Sequence, residues 1–206
     1  MIEEAVEAIR SGQPVVLPTD TVYGLCTTPY HGDAVRRLAR LKGRDEAQPI
    51  ALLAASIDVL FDCVPELFGR SGRIIRTLLP GPYTLVLPNP ARRYPWLSGA
   101  RPDTIGVRVP ELEGPAADVL GRVGAVAATS ANLHGRPDPR ALDEVPTELR
   151  DRVAAVVDGG ELPGTPSTAI DFTGDEPVVL REGAVPADKA LERVSDLVGP
   201  GPTPRP

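Results

Sequence analysis

Lys42 and Arg44 flank a single glycine, and Arg36, Arg37 and Arg40 precede them, so five cations fall within nine residues of a chain whose net charge is −6. An ammonium acting as a movable point charge, beside a guanidinium acting as a fixed fork, makes a pair suited to gripping phosphate. Lys42 is also one of only two lysines, the other being Lys189. The same cluster reads equally as the solvated end of a helix, where cations complement the C-terminal dipole. Hydroxyls, amides and guanidiniums recur in further short stretches: Pro18-Thr19-Asp20-Thr21-Val22-Tyr23-Gly24-Leu25, Thr104 to Pro110, Thr129-Ser130-Ala131-Asn132, Ser167-Thr168 and Leu180-Arg181-Glu182-Gly183. Each follows or closes an apolar run, which places it at a strand end, where α/β sheets bind ligands. Taken singly, they also read as turns, caps and surface ion pairs. Neither G-x-x-x-x-G-K-[ST] nor G-x-G-x-x-G occurs, so any phosphate recognition would rest on side chains.

The elements that must position these residues follow from periodicity. Ile2, Ala5, Val6 and Ile9 have helical spacing that stops at Ser11-Gly12, and Pro14 to Pro18 reads as a short buried strand. Val35, Leu38 and Leu41 mark a helix that delivers Lys42, and Pro49 to Leu53 reads as a second buried strand. Further β-like runs are Tyr83 to Leu87, Thr104 to Val109, Gly124 to Ala128, Val153 to Val157, Ser167 to Phe172 and Pro177 to Leu180. The spacing of Leu142, Val145, Leu149 and Val153 predicts an exposed helix over 140–155, and 187–198 reads as the last helix. The sum is α/β with a twisted mixed sheet flanked by helices.

At 206 residues the expectation is one domain over 1–198, followed by a disordered Pro/Gly tail over 199–206. Hydrophobic content of 42% with 24% charged residues fits a soluble globular protein, and 24 Pro with 20 Gly imply many turns. The first residues are acidic and amphipathic rather than basic and then apolar, and no apolar run approaches membrane-spanning length, so no membrane association is expected. Cys26 and Cys63 lack C-x-x-C spacing, and His31 and His134 lack a metal-ligand pattern, which argues against structural zinc and for free thiols in a reducing cytoplasm. The acidic total opposes a broad nucleic-acid face and leaves room for a confined basic pocket.

Joint order adds what the single motifs lack. P-T-D-T-V-Y-G-L, then K-x-R, P-G-P-x-T-L-V-L, G-V-R-V-P, T-S-A-N, S-T-A-I-D and L-R-x-G run in sequence from about Gly12 to Val185. This resembles the YrdC/Sua5 family of threonylcarbamoyl-AMP synthases. The Sua5 type has an additional C-terminal domain, and the chain length resembles the single-domain YrdC type. The resemblance implies a YrdC-like fold with a concave basic pocket. It also implies a nucleotidyltransferase that makes threonylcarbamoyl-AMP and pyrophosphate from L-threonine, bicarbonate and ATP, for t6A modification of tRNA. Its K-x-R and S-x-N set falls on Lys42, Arg44, Ser130 and Asn132, the expected catalytic group. Gln48, Thr104 and Arg181 join them as ATP contacts. Thr21, Arg108, Ala128 (through its backbone) and Ser167 would hold threonine. Mg2+ would accompany ATP with no protein metal site, and a downstream t6A transferase complex would take the product.

That chemistry suits the residue inventory, because an N-carboxylated threonine supplies its own nucleophilic oxygen and the protein has only to position and neutralise. No residue is marked as the base for carboxylation; Tyr23 is one candidate and a metal-bound hydroxide another. Asp45 stands where the family usually has Pro, Leu53 where Sua5-type members commonly have His, Cys26 where Gly is frequent, and Glu182 where Pro follows the arginine. These departures bear on substrate affinity and amino-acid choice. Two other readings share the residues. A non-catalytic RNA- or nucleotide-binding module would use the same basic concavity, although 4% aromatic residues offer few stacking platforms. Carbamoyl-adenylate chemistry of the hydrogenase-maturation kind would bring further domains and zinc-finger-like cysteines.

Overall fold

The structure, a computed structural model, describes residues 1–198. The tail expected over 199–206 lies outside the described residues. Among the described residues nine strands form one mixed sheet: β1 (Val15–Leu17), β2 (Gly24–Thr27), β3 (Ala51–Ala54), β4 (Tyr83–Pro88), β5 (Thr104–Arg108), β6 (Ala125–Ser130), β7 (Ala155–Val156), β8 (Thr168–Asp171) and β9 (Val178–Arg181). Their spatial order is β7-β1-β2-β6-β3-β5-β4-β8-β9. The pairs β1–β7, β3–β5 and β4–β8 are parallel, and the others are antiparallel. The helices are α1 (Ile2–Arg10), α2 (Gly32–Lys42), α3 (Ile57–Cys63), α4 (Gly69–Leu78), α5 (Gly114–Val123), α6 (Thr147–Arg150) and α7 (Ala187–Arg193).

Strand alternation sorts the residues onto two faces. Leu25, Leu52, Leu85, Val107 and Ala127 enter one core with Val35 and Leu38 of α2, Leu60 of α3, Ile74 and Ile75 of α4 and Ala190 of α7. Val15, Leu17, Cys26, Leu53, Val126 and Ala128 enter a second core with Ala5, Val6 and Ile9 of α1 and Val119 and Leu120 of α5. Burying one aliphatic side chain is worth about 1.5–3 kcal/mol, so helices settle where the strands are aliphatic. On the second face, α1 and α5 lie over strands rich in Val, Leu and Ala. Thr104, Gly106 and Arg108 of β5, Thr84 and Val86 of β4 and Ala169 of β8 instead line an open cleft.

Three expectations change. The helix over 140–155 is two short turns, a 3-10 turn at Leu142–Glu144 and α6. Pro146 lies between them and, lacking an N–H, cannot continue a helical ladder. Val145 and Leu149 are 1% and 0% exposed, so this segment packs inward rather than standing on the surface. The run from Val153 to Val157 shrinks to a two-residue parallel strand against β1. Gly24 and Leu25, read as the end of a polar loop, begin a fully buried strand, Gly24–Thr27, between β1 and β6. Both cysteines are free and buried. No helix among the described residues is long and apolar enough to cross a membrane.

Candidate active site

The cleft has a volume of about 620 Å³, within the range usual for small-molecule sites. Lys42, Arg44, Gln48, Thr104, Ser130, Asn132 and Arg181 all line it, as do Thr21, Arg108, Ala128 and Ser167. The fold thus brings together all eleven residues singled out in the sequence, from β5, β6, β9, the end of α2 and the loops beside them.

Lys42 is the last residue of α2, and Gly43 follows it in the left-handed conformation at φ 63°. That conformation costs a side-chain-bearing residue energy and costs glycine little. The turn reverses the chain so that both Lys42 and Arg44 reach the cleft. Of the five clustered cations only these two do so. Arg36 pairs with Asp33, Arg37 donates to Gln13, and Arg40 donates to the Arg36 carbonyl, all at the solvent surface.

Lys42 Nζ donates to Asn132 Oδ1 at 2.6 Å, to Ser130 Oγ at 3.2 Å and to the Ser130 carbonyl. Ser130 Oγ also donates to Asn132 Oδ1 at 2.6 Å, so the S-x-N pair is one bracket around the ammonium. Burial, and next the neighbouring Arg44, push the Lys42 pKa down to about 8, while Asp138 opposes them. Arg44 spreads its fork over Gln48 Oε1, Thr129 Oγ1 at 3.1 Å and the Pro49 carbonyl at 3.0 Å. Burial and then Arg181 lower its pKa below the ordinary arginine value. Arg181 donates twice to the Ser167 carbonyl and once to Ser167 Oγ, which lies 2.7 Å from Thr84 Oγ1.

Arg108 projects from β5 opposite Leu53 of β3. Its Nη2 donates to Asp20 Oδ1 at 2.6 Å and to Thr21 Oγ1 at 3.3 Å. Burial lowers the Arg108 pKa and the Asp20 carboxylate opposes that shift. Ala128 offers its methyl group to the cleft while its backbone pairs with Cys26 and Ala51. Thr104 Oγ1 donates to the Arg101 carbonyl at 2.9 Å.

The four departures occupy distinct places. Only Leu53 lines the cleft. Asp45 Oδ1 accepts from the Ala47 N–H at 2.9 Å, spending its carboxylate on the turn that follows Arg44. Cys26 is buried in the second core, and burial raises its thiol pKa to about 12, which leaves it inert. Glu182 accepts from the Ala187 N–H at 3.0 Å at the start of α7. Tyr23 is no base for this cleft. Its hydroxyl is held at 2.9 Å by Asp158, the Gly160 carbonyl and the Gly159 N–H, and the residue is fully buried outside the cleft lining.

Sequence reading passed over several lining residues, notably Thr84, Thr129, Arg101 and Asp138. Thr84 alternates with the core residues Tyr83 and Leu85, and Thr129 opens the Thr129-to-Asn132 stretch already noted, so a signal was available for both. Arg101 had none, since its approach depends on its pairing with Asp171 at 2.7 Å, 70 positions away.

A mixed sheet with one face half covered by helices and half lined by cations and hydroxyls defines an α/β protein with a cleft of cationic and hydroxyl side chains. The chain belongs to the Sua5/YciO/YrdC family: the family model, described as telomere recombination, matches residues 7–183. A Mycobacterium tuberculosis relative is 35% identical over 96% of this chain and 89% of its own length. The threonylcarbamoyl-AMP synthase of Pyrococcus abyssi is 34% identical over 96% of this chain, which spans only 57% of that longer protein. The crystal structure of Pyrococcus abyssi Sua5 complexed with L-threonine superposes with a TM-score of 0.86 at 33% identity, over 96% of this chain and 58% of that one.

Proposed function

We propose that this protein is a nucleotidyltransferase that makes L-threonylcarbamoyl-AMP and pyrophosphate from L-threonine, bicarbonate and ATP. The carrying observation is that one cleft brings together Lys42, held by the Ser130–Asn132 bracket, and Arg44, held by Gln48 and Thr129, in a chain whose relatives bear that enzyme's name. Threonine nitrogen takes up the bicarbonate carbon with loss of water, and the resulting carbamate oxygen attacks the α-phosphorus as pyrophosphate leaves. Lys42 and Arg44 would neutralise the charge that builds on the leaving group, as preorganised donors do. Gln48, Thr104, Ser130, Asn132 and Arg181 would complete the nucleotide cradle. Arg108 would take the threonine carboxylate, with Thr21 and Ser167 as hydrogen-bonding neighbours and Ala128 forming part of the wall.

Mg2+ would enter with the nucleotide. Such a cation would be carried mainly by phosphate oxygens. It would supply charge neutralisation on the triphosphate. The product serves t6A modification of tRNA, so a transferase acting on tRNA would consume it, and direct RNA contact is the second reading of the same cleft. The test is incubation with ATP, Mg2+ and bicarbonate, with and without L-threonine, following pyrophosphate and the adenylate by mass spectrometry. Threonine-dependent release of both supports the reading, and ATP binding without turnover overturns it.

A further inference from the structure

Asp20 sits in the Thr19-Asp20-Thr21 turn, and the reaction above gives it no task. Its carboxylate and the Arg108 guanidinium form an ion pair at 2.6 Å with side chains 8% and 10% exposed. Even so, Asp20 Oδ2 and Arg108 Nε are buried without a hydrogen-bond partner among the described residues. A buried pair gains stability only when its remaining donors and acceptors are satisfied, since desolvation otherwise cancels the Coulomb attraction. This pair is therefore a poor device for stability. As a device for orientation it is well made. Nη2 is tied to Asp20 and Thr21, whereas Nη1 is neither bonded to another described residue nor closed off like Nε. Arg108 lines the cleft and Asp20 stands behind it.

The cations of the cleft divide by the nature of their partners, and at its rim Arg101 pairs with the Asp171 carboxylate as Arg108 does with Asp20. Lys42, Arg44 and Arg181 are held only by neutral oxygens, those of Ser130, Asn132, Gln48, Thr129, Pro49 and Ser167. Their charge remains available, as a polyphosphate requires. Arg108 carries a carboxylate beside it, so its own positive charge is offset, and Arg181 is the cation that bears on it from the other side. A neutral pair with one free N–H edge suits the carboxylate of a zwitterion and gives little to a multiply charged anion.

Building on the threonine and ATP assignments above, we propose that Asp20 is a positioning residue for the amino acid. It aims the free edge of Arg108 at the substrate carboxylate, and by cancelling the Arg108 charge it keeps polyphosphate in the Lys42–Arg44–Arg181 half.

Asp20→Asn keeps the shape and an acceptor for Nη2 while removing the charge. We expect the KM for L-threonine to rise about tenfold, the loss of one charge-assisted contact, with the KM for ATP changed less than about twofold. Tripolyphosphate, competing only with ATP in the wild type, becomes a competitor of L-threonine as well. An unchanged threonine KM overturns the proposal, and so does an equal rise in both KM values, which marks a merely structural role. Should that variant not fold, Asp20→Glu keeps the charge and displaces the fork. It should raise the threonine KM without admitting tripolyphosphate, and an unchanged KM there overturns the positioning role. The wild type is assayed first. If it shows no threonine-dependent synthesis, the proposed function fails, and direct titration of L-threonine into wild type and Asp20→Asn still decides the part played by Asp20, since equal affinities overturn it.

Discussion

Lys42 Nζ lies 2.6 Å from Asn132 Oδ1 across 90 positions of sequence, and Ser130 bonds to both. A buried ammonium held only by neutral oxygens gains less than it would from a carboxylate and keeps its charge for a ligand. Lys42→Met should lower kcat/KM for ATP by about 100-fold while leaving the thermal midpoint unchanged or raised. Scanning calorimetry beside steady-state kinetics checks both. A large loss of stability would assign Lys42 to the fold instead.

The depressed Lys42 pKa gives stability and activity opposite pH dependences. Between about pH 8 and the ordinary lysine range the unfolded chain holds a proton that the folded protein has released, so this group makes the fold more stable as pH rises through that window. The activity that needs the ammonium is lost over the same rise. We expect kcat/KM for ATP to decline above pH about 8, and Lys42→Arg to move that limb out of the accessible range. A pH profile of both proteins settles the assignment.

Arg44 uses Nε, Nη1 and Nη2 on three different partners, a geometry that an ammonium cannot reproduce. Arg44→Lys should therefore raise the KM for ATP about tenfold despite the conserved charge, and Arg44→Ala should abolish most synthesis. Recovery of wild-type kinetics in the lysine variant would show that charge alone matters at this position.

Gly183 ends the L-R-x-G motif because there is no room for a side chain. A Cβ there would lie 2.3 Å from the Pro166 carbonyl oxygen and 2.5 Å from the Ser167 carbonyl carbon. Gly183→Ala should cost about 1–3 kcal/mol through forced backbone movement and should weaken nucleotide binding as the Arg181–Ser167 contact shifts. Chemical denaturation and ATP titration measure the two effects.

The cleft-lining residues were legible because short polar motifs follow aliphatic runs, and alternation of period two assigns the faces. Thr104, Gly106 and Arg108 could be placed on one side of β5 from spacing alone. What the sequence could not display is pairing across distance: Asp20 with Arg108, Arg101 with Asp171, and Tyr23 with Asp158. Tyr23 illustrates the point, since a motif tyrosine beside Thr21 turned its hydroxyl away from the cleft. The misplaced helix over 140–155 has a local cause as well. Leu142, Val145, Leu149 and Val153 keep helical spacing, but Pro146 interrupts the backbone ladder and the segment serves the core through separate turns.

The most direct measurement supplies carbon-labelled bicarbonate with ATP, Mg2+ and L-threonine and follows the label by mass spectrometry. The account predicts one adenylate that carries both threonine and the bicarbonate carbon, formed in step with pyrophosphate and lost in Lys42→Met. Release of pyrophosphate without label in an adenylate, or labelled product undiminished in that variant, would contradict it.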